Sequence, residues 1–195
     1  MSPHSHIFLA FAQDKKNNFE ESEKEYCAAA ALRPQDAQAW QGLVKLCEKQ
    51  GAKKLGPYQE AVVNLARIFH DADDMYKSQV VVDKFIDHVR AHGDKLQYAD
   101  ALWIRLPESP LYPILEGRFP APGHTYERIA TILEDFEKKR VNMLIGERRT
   151  RLGAKLSDVT LEVKREVYAQ SKLEHIYRQL INWTNDDDIR RKYDR

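Results

Sequence analysis

Apolar side chains along this chain recur at three- and four-residue steps, the spacing that puts them on one face of a helix. Tyr58, Ala61, Val62, Leu65, Ala66 and Phe69 follow it through about His70, and a second amphipathic stretch runs from about Met75 to His92. Gly93 is placed to stop that stretch. Further on, Ile129, Ile132, Leu133 and Phe136 mark one face of a long charged helix, Gly153 is placed to end or bend it, and Ser157 to cap the next, which carries Val159, Val163, Val167 and Tyr168. The last helix is the clearest. Ser171-Lys172-Leu173-Glu174 reads as a capping box, with Leu173, Ile176, Tyr177, Leu180 and Ile181 as the buried stripe behind it. No run alternates apolar and polar residues over a useful length, so the fold class expected is all-α.

The first part of the chain is also self-similar. Writing Pro3 to Asp36 above the residues from Ala37 onward sets His6 over Trp40, Leu9 over Leu43, Ala12 over Leu46, Gln13 over Cys47 and Asn17 over Gly51, a spacing of 34. This is the tetratricopeptide period, whose first helix carries W-x2-L and whose second carries A-x3-F before a closing proline. The second unit supplies Trp40 and Leu43, with Gly51 at the turn between its helices. The first supplies Ser22, Tyr26, Ala29 and the stop at Pro34. Leu9, Tyr26, Ala29, Pro34, Trp40, Leu43 and Gly51 are therefore the expected repeat-packing residues, and Trp40 is expected to fill the gap between the first two repeats. Small residues allow two helices close approach and large ones fill the gap beside the next, so the motif is a packing code without chemistry. Gly56-Pro57 falls where the second helix of the second unit should be under way, and the residues from Tyr58 to His92 read as a degenerate third repeat.

Between Leu106 and Gly123 five of the eight prolines gather, at 107, 110, 113, 120 and 122. No ordinary helix survives that density. The interleaved Leu111, Tyr112, Ile114, Leu115 and Phe119 favour an ordered insert packed on the array over a solvated linker. The expected organisation is two to three repeats over 1–93, a connecting segment with the proline-rich insert over 94–124, and a further helical repeat region over 125–195: a tetratricopeptide-type hairpin array, or α-solenoid.

Composition narrows the function. In 195 residues, Lys+Arg 31 against Asp+Glu 30 leaves a formal charge of +1, which excludes general attraction to nucleic acid or to a membrane surface. Cys27 and Cys47 cannot make a disulfide framework. Each sits in a helical stretch, so both read as core thiols of a reduced compartment. The opening apolar run, His6 to Ala12, is too short to span a bilayer and lacks the pattern of an export signal.

Candidate chemistry is sparse. His88 and His92 lie four apart on one helical face, but the zincin glutamate and a third ligand are missing, so solvated histidines are the plainer reading. Gly51-Ala52-Lys53-Lys54-Leu55-Gly56 lacks the Gly-Lys-Ser/Thr ending of a phosphate loop. Asp73-Asp74 and Asp186-Asp187-Asp188 sit in turn-like settings where water keeps the acids ionised. With no nucleophile signature, the chain is expected to be no enzyme and to need no cofactor or metal. The strongest charge feature is the stretch 137–155, where seven basic residues face only Glu137 and Glu147. Arg148, Arg149, Arg151 and Lys155 in it could hold RNA phosphates or an acidic partner. The plainer reading is that the arginines brace neighbouring helices through carboxylates such as Glu162 and Glu166.

Particular strings go beyond the generic repeat. Leu115-Glu116-Gly117-Arg118-Phe119-Pro120, the run from Ile145 to Lys155, the run from Val159 to Val167, and Leu180-Ile181-Asn182-Trp183-Thr184-Asn185-Asp186-Asp187-Asp188 resemble the N-terminal repeat region of the superkiller protein three family, its fungal members above all. The resemblance covers nearly the whole chain from about His6. It implies a non-catalytic tetratricopeptide scaffold, expected in the cytoplasm, with an additional nuclear pool also open. Such a scaffold holds a DExH-box RNA helicase and WD-repeat propellers and supports 3′-to-5′ mRNA decay with the RNA exosome. Family members are far longer, so the resemblance also implies a fragment. Two alternatives stand beside this one: direct RNA binding through 137–155, and a chaperone-docking adaptor. The second needs Lys and Asn projecting from the first helix, where this chain has Ile7 and Phe11.

Overall fold

The computed structural model describes residues 1–51, 53–152, 156–183 and 191, and side chains outside 152 and 156–158. Every element among them is helical and no strand is present there, as the periodicity predicts. The chain divides into two compact units, Met1–Phe119 and Pro120–Arg195.

Six helices carry the first unit: α1 (Pro3–Lys15), α2 (Phe19–Leu32), α3 (Ala37–Lys49), α4 (Leu55–Asp71), α5 (Met75–His92) and α6 (Lys95–Leu102). Each packs on the next in chain order; α1 also reaches α3, and α4 also reaches α6. Their starts are set by side chains that satisfy free backbone N–H groups. Ser2 accepts from the Ser5 N–H before α1, Asp36 from Gln38 before α3, and Asp74 from Lys77 before α5. Pro57 does not break α4. It falls in the first turn, where its missing N–H has no helical partner to lose.

Two hairpins are built alike. Between α1 and α2, Asn17 has φ 61°, and the Ser22 hydroxyl, wholly buried, donates to the Ala10 carbonyl at 2.8 Å. Between α4 and α5, Asp73 has φ 60°, and the buried Ser78 hydroxyl donates to the Ala66 carbonyl at 2.8 Å. The offset from Ser22 to Ser78 also carries the Asn18 N–H bond to the Gln13 carbonyl onto that of Asp74 to Phe69. Gly51, between α3 and α4, takes φ 66°, the left-handed region that only glycine and a few polar residues enter cheaply. The pair Asn17 and Gly51, aligned in the sequence, thus share a turn conformation.

The closest approach lies between α2 and α3. A Cβ on Gly42 would stand 2.2 Å from Cε1 of the Tyr26 ring, so the ring occupies the space a side chain at 42 would need. Beside it, Ala29, Ala30 and Ala39 form a buried cluster closed by Ile7 and Trp40. Deeper in, Tyr58 packs edge-on to Phe85, ring centroids 4.8 Å apart, and its hydroxyl donates to Glu48 at 3.3 Å.

Of the segment expected to connect, 94–124, residues 94–119 belong to the first compact unit. Asp94 and Gln97 form a reciprocal capping box that starts α6, a helix absent from the sequence reading. Pro107 and Pro110 fall in turns before a short helix α7 (Tyr112–Leu115) and Pro113 sits in its first turn, where a proline is tolerated, while Ile104, Leu106, Leu111 and Leu115 are fully buried. The insert is ordered and packed, and Arg105 ties it to Asp83 of α5 at 2.6 Å. The boundary between units accordingly falls after Phe119.

The second unit holds α8 (Pro122–Leu152), α9 (Leu156–Ala169) and α10 (Leu173–Trp183). Val141, Val159, Val163 and Val167 join α8 to α9, with Leu144 and Ile145 packed beside them. Leu173, Ile176 and Leu180 are the buried stripe of α10. Three expectations need correction. Phe136 is exposed and Glu137 beside it is buried, because the packing row of α8 steps by four through Ile129, Leu133, Glu137 and Val141. Tyr168 likewise faces solvent, one step off the valine row. Ser171 makes half of a capping box: its oxygen accepts from the Leu173 N–H at 2.9 Å, but its own N–H goes to Tyr168 and Glu174 pairs with Arg178. The expected bend at Gly153, the Ser157 side chain and Asn185 to Asp188 lie outside the described residues.

Burial holds the Glu137 carboxyl above the usual carboxylate range; the Ser171 hydroxyl donated to it and nearby Arg140 oppose that rise, and Glu134 adds to it. A raised folded-state pKa means that the folded chain binds the proton more tightly than the unfolded one. Stability from this group is therefore full at acid pH and lost as pH rises through the raised value. Glu137→Gln should raise the melting temperature at neutral pH, with the gain vanishing near pH 4, as read by circular dichroism melts; an equal shift at both pH values would exclude the titration. Gly42→Val should lose stability instead. Helix propensity favours valine by a few tenths of a kcal/mol, but forcing bulk against the Tyr26 ring costs about 1–3 kcal/mol. A melting temperature at or above that of the unmodified chain would show that the ring can swing aside.

Candidate protein-interaction surface

The expected repeat residues do not all take one role. Tyr26, Ala29 and Leu43 are buried. Trp40 is half-buried, packed on the alanine cluster, and its ring N–H donates to the Pro34 carbonyl at 2.9 Å, so the tryptophan also pins the turn that ends α2. Leu9 is only half-buried; its neighbour Ala10, at 0% exposure, occupies the close-packed place because its carbonyl takes the Ser22 hydroxyl. Cys27 is exposed, against the expectation of two core thiols. Cys47 is buried, which pushes its thiol up to about 11 and leaves it unreactive at neutral pH.

A face of the first unit is left open. Residues of α1 and α3 line a groove of about 580 Å³, with Ile7, Phe8 and Phe11 on one side and Gln38, Gln41 and Lys45 on the other. A second hollow, about 440 Å³, continues from Gln41 and Lys45 across α4 to Phe69, Lys77, Val80 and Lys84. Phe8 is 76% exposed and Phe11 51%, an unusual setting for two phenylalanines one helical turn apart. Periodicity alone did not mark this face, because α1 is apolar on both sides and only the packing decides which side is covered.

The basic stretch divides. Arg148, half-buried, pairs with Glu166 and lies 3.7 Å from Glu162, joining α8 to α9 as the bracing reading required. Arg149 and Arg151 are exposed and make no ion pair among the described residues; Lys155 lies outside them. His88 and His92 stack at 4.3 Å between ring centroids, and the His88 ring also meets Tyr58 edge-on. No group of three or more candidate metal ligands occurs among the described residues, and no helix there is long and apolar enough to cross a membrane.

The fold and this open face define an all-α helical repeat array, and a tetratricopeptide repeat family model matches residues 107–194. The chain is also 30% identical over 188 residues to Superkiller protein 3 of Schizosaccharomyces pombe, which bears out the family resemblance read from the sequence. That match covers 96% of this chain and 13% of the relative's length. No solved structure matches the chain. The repeat and the relative together support a protein-interaction scaffold.

Reversal of the three arginines should separate their roles. Arg148→Glu sets a third negative charge beside Glu162 and Glu166. Because both carboxylates are at least half exposed, the loss should be about 1 kcal/mol rather than several. Arg149→Glu and Arg151→Glu should leave the melting temperature unchanged within experimental error. Equal effects of all three in thermal melts would contradict the division.

Proposed function

We propose that the chain serves as a non-catalytic scaffold segment of the superkiller type. It holds protein partners, a DExH-box RNA helicase and WD-repeat propellers, for cytoplasmic 3′-to-5′ mRNA decay with the RNA exosome. The observation that carries the reading is the similarity to Superkiller protein 3 along 96% of the chain. The open face on α1 and α3 agrees with it, since a repeat array presents the surface between its helices rather than a catalytic pocket. A chaperone-docking role fits less well: Ile7 and Phe11 line the groove where a terminal carboxylate would need polar donors. RNA contact has one specific support, the exposed Arg149 and Arg151, and would run beside the scaffold role.

Co-purification of the tagged protein from cells of its own source tests the reading. Recovery of helicase and propeller subunits is the expected result. Their absence, both from this chain and from a version extended to the relative's full length, would reject it. Retained partners after ribonuclease treatment would show that the association runs through protein.

A further inference from the structure

We propose that the joined groove over α1, α3 and α5 holds an internal acidic segment of a partner protein, one that carries aromatic or aliphatic side chains among its acids. This rests on the scaffold reading and names the chemistry of one partner segment.

The charge of the groove is one-sided. Five lysines line the two hollows, Lys15, Lys45, Lys49, Lys77 and Lys84, against Asp14 and Glu48 alone, in a chain whose formal charge is +1. Both acids are engaged from within. Asp14, its side chain 11% exposed, is held by Lys49, and Glu48 accepts the Tyr58 hydroxyl. Lys77 is engaged by Asp74. Lys15, Lys45 and Lys84 make no ion pair among the described residues, and Lys45 sits at the junction of the two hollows. These ammonium groups lie along the groove, from α1 to α5, rather than around one point. A single terminal carboxylate would use one of them; a segment with several acids uses all three.

The apolar part of the groove specifies the rest. Phe8, Phe11 and Lys15 succeed each other at helical spacing on α1, the lysine lying 5.1 Å over the Phe11 ring. Exposed rings beside free cations make a surface that gains from covering by apolar side chains while acids reach the ammonium groups. The aliphatic wall of the second hollow, Val44, Leu65 and Val80, suits side chains better than nucleobases. No arginine lines either hollow to grip phosphates in the bidentate manner.

The test uses the whole chain and fluorescence anisotropy. The probe is a labelled, end-blocked peptide that alternates glutamate with phenylalanine and leucine; a twin has glutamine for every glutamate, and a labelled single-stranded RNA serves as competitor. Micromolar binding of the acidic peptide is expected, weakening as salt screens the charges. The doubles Lys45→Glu/Lys84→Glu and Phe8→Ser/Phe11→Ser should each weaken it by about tenfold or more, equivalent to about 1.4 kcal/mol, with melting temperatures unchanged because all four side chains are solvent-facing. Equal binding of the glutamine twin, indifference to both doubles, or displacement by RNA at lower concentration than by unlabelled peptide would overturn the proposal. Its fate is separable from that of the scaffold reading. A peptide that fails while helicase and propeller subunits still co-purify rejects only the acidic segment; a peptide that binds as described while neither subunit co-purifies supports the groove and rejects the superkiller-type assignment.

Discussion

The contact of the Tyr26 ring with the bare backbone of Gly42 is the constraint on which the first unit depends. Two antiparallel helices can approach this closely only where one presents no side chain, and the ring fills the space that the missing Cβ leaves. The approach sets α3 beside α2, brings Ala29, Ala30 and Ala39 together, and lets α1 reach α3 across them. The groove is a consequence. Its floor is the seam where α1 meets α3, and Tyr26 and Gly42 are part of its lining.

The same economy recurs in the serine hydroxyls. Ser22 and Ser78 each donate to a carbonyl on the facing helix of its hairpin, a bond that a larger side chain could not make at this separation. A buried hydroxyl left without a partner would cost about 1–3 kcal/mol, so the two bonds fix register as well as distance. In the second unit a polar group also sits at a helix junction, but less comfortably. Glu137 takes a place in the packing row of α8 that periodicity assigns to an apolar residue, and the Ser171 hydroxyl from the start of α10 compensates it in part.

Much of this architecture was legible in the residues. The spacing that set Asn17 over Gly51 found two turns of one conformation, and the bounds of α5 were readable from its apolar steps and Gly93. Four things were not. A glycine inside a helix reads as a weakness, so Gly42 carried no signal until the ring above it was seen. The Asp94–Gln97 box was readable in principle, but the prolines beyond it drew the segment into a connector. Cys27 read as core because periodicity says which residues share a face and not whether that face is covered. Helical spacing sets Arg149 about 100° from Arg148 but puts Arg151 on nearly the same face as Arg148, so the exposure of Arg151 was not readable from it.

The central claim is that the packing of α1 to α3 presents a face that partners cover. Hydrogen–deuterium exchange compares the chain alone with the chain in the assembly isolated from its own cells, and reads that face directly. Slower exchange in the assembly over the exposed turns of α1 around Phe8 and Phe11, and in α3 around Lys45, is the predicted result. Unchanged exchange there, with protection confined to other helices, would contradict it.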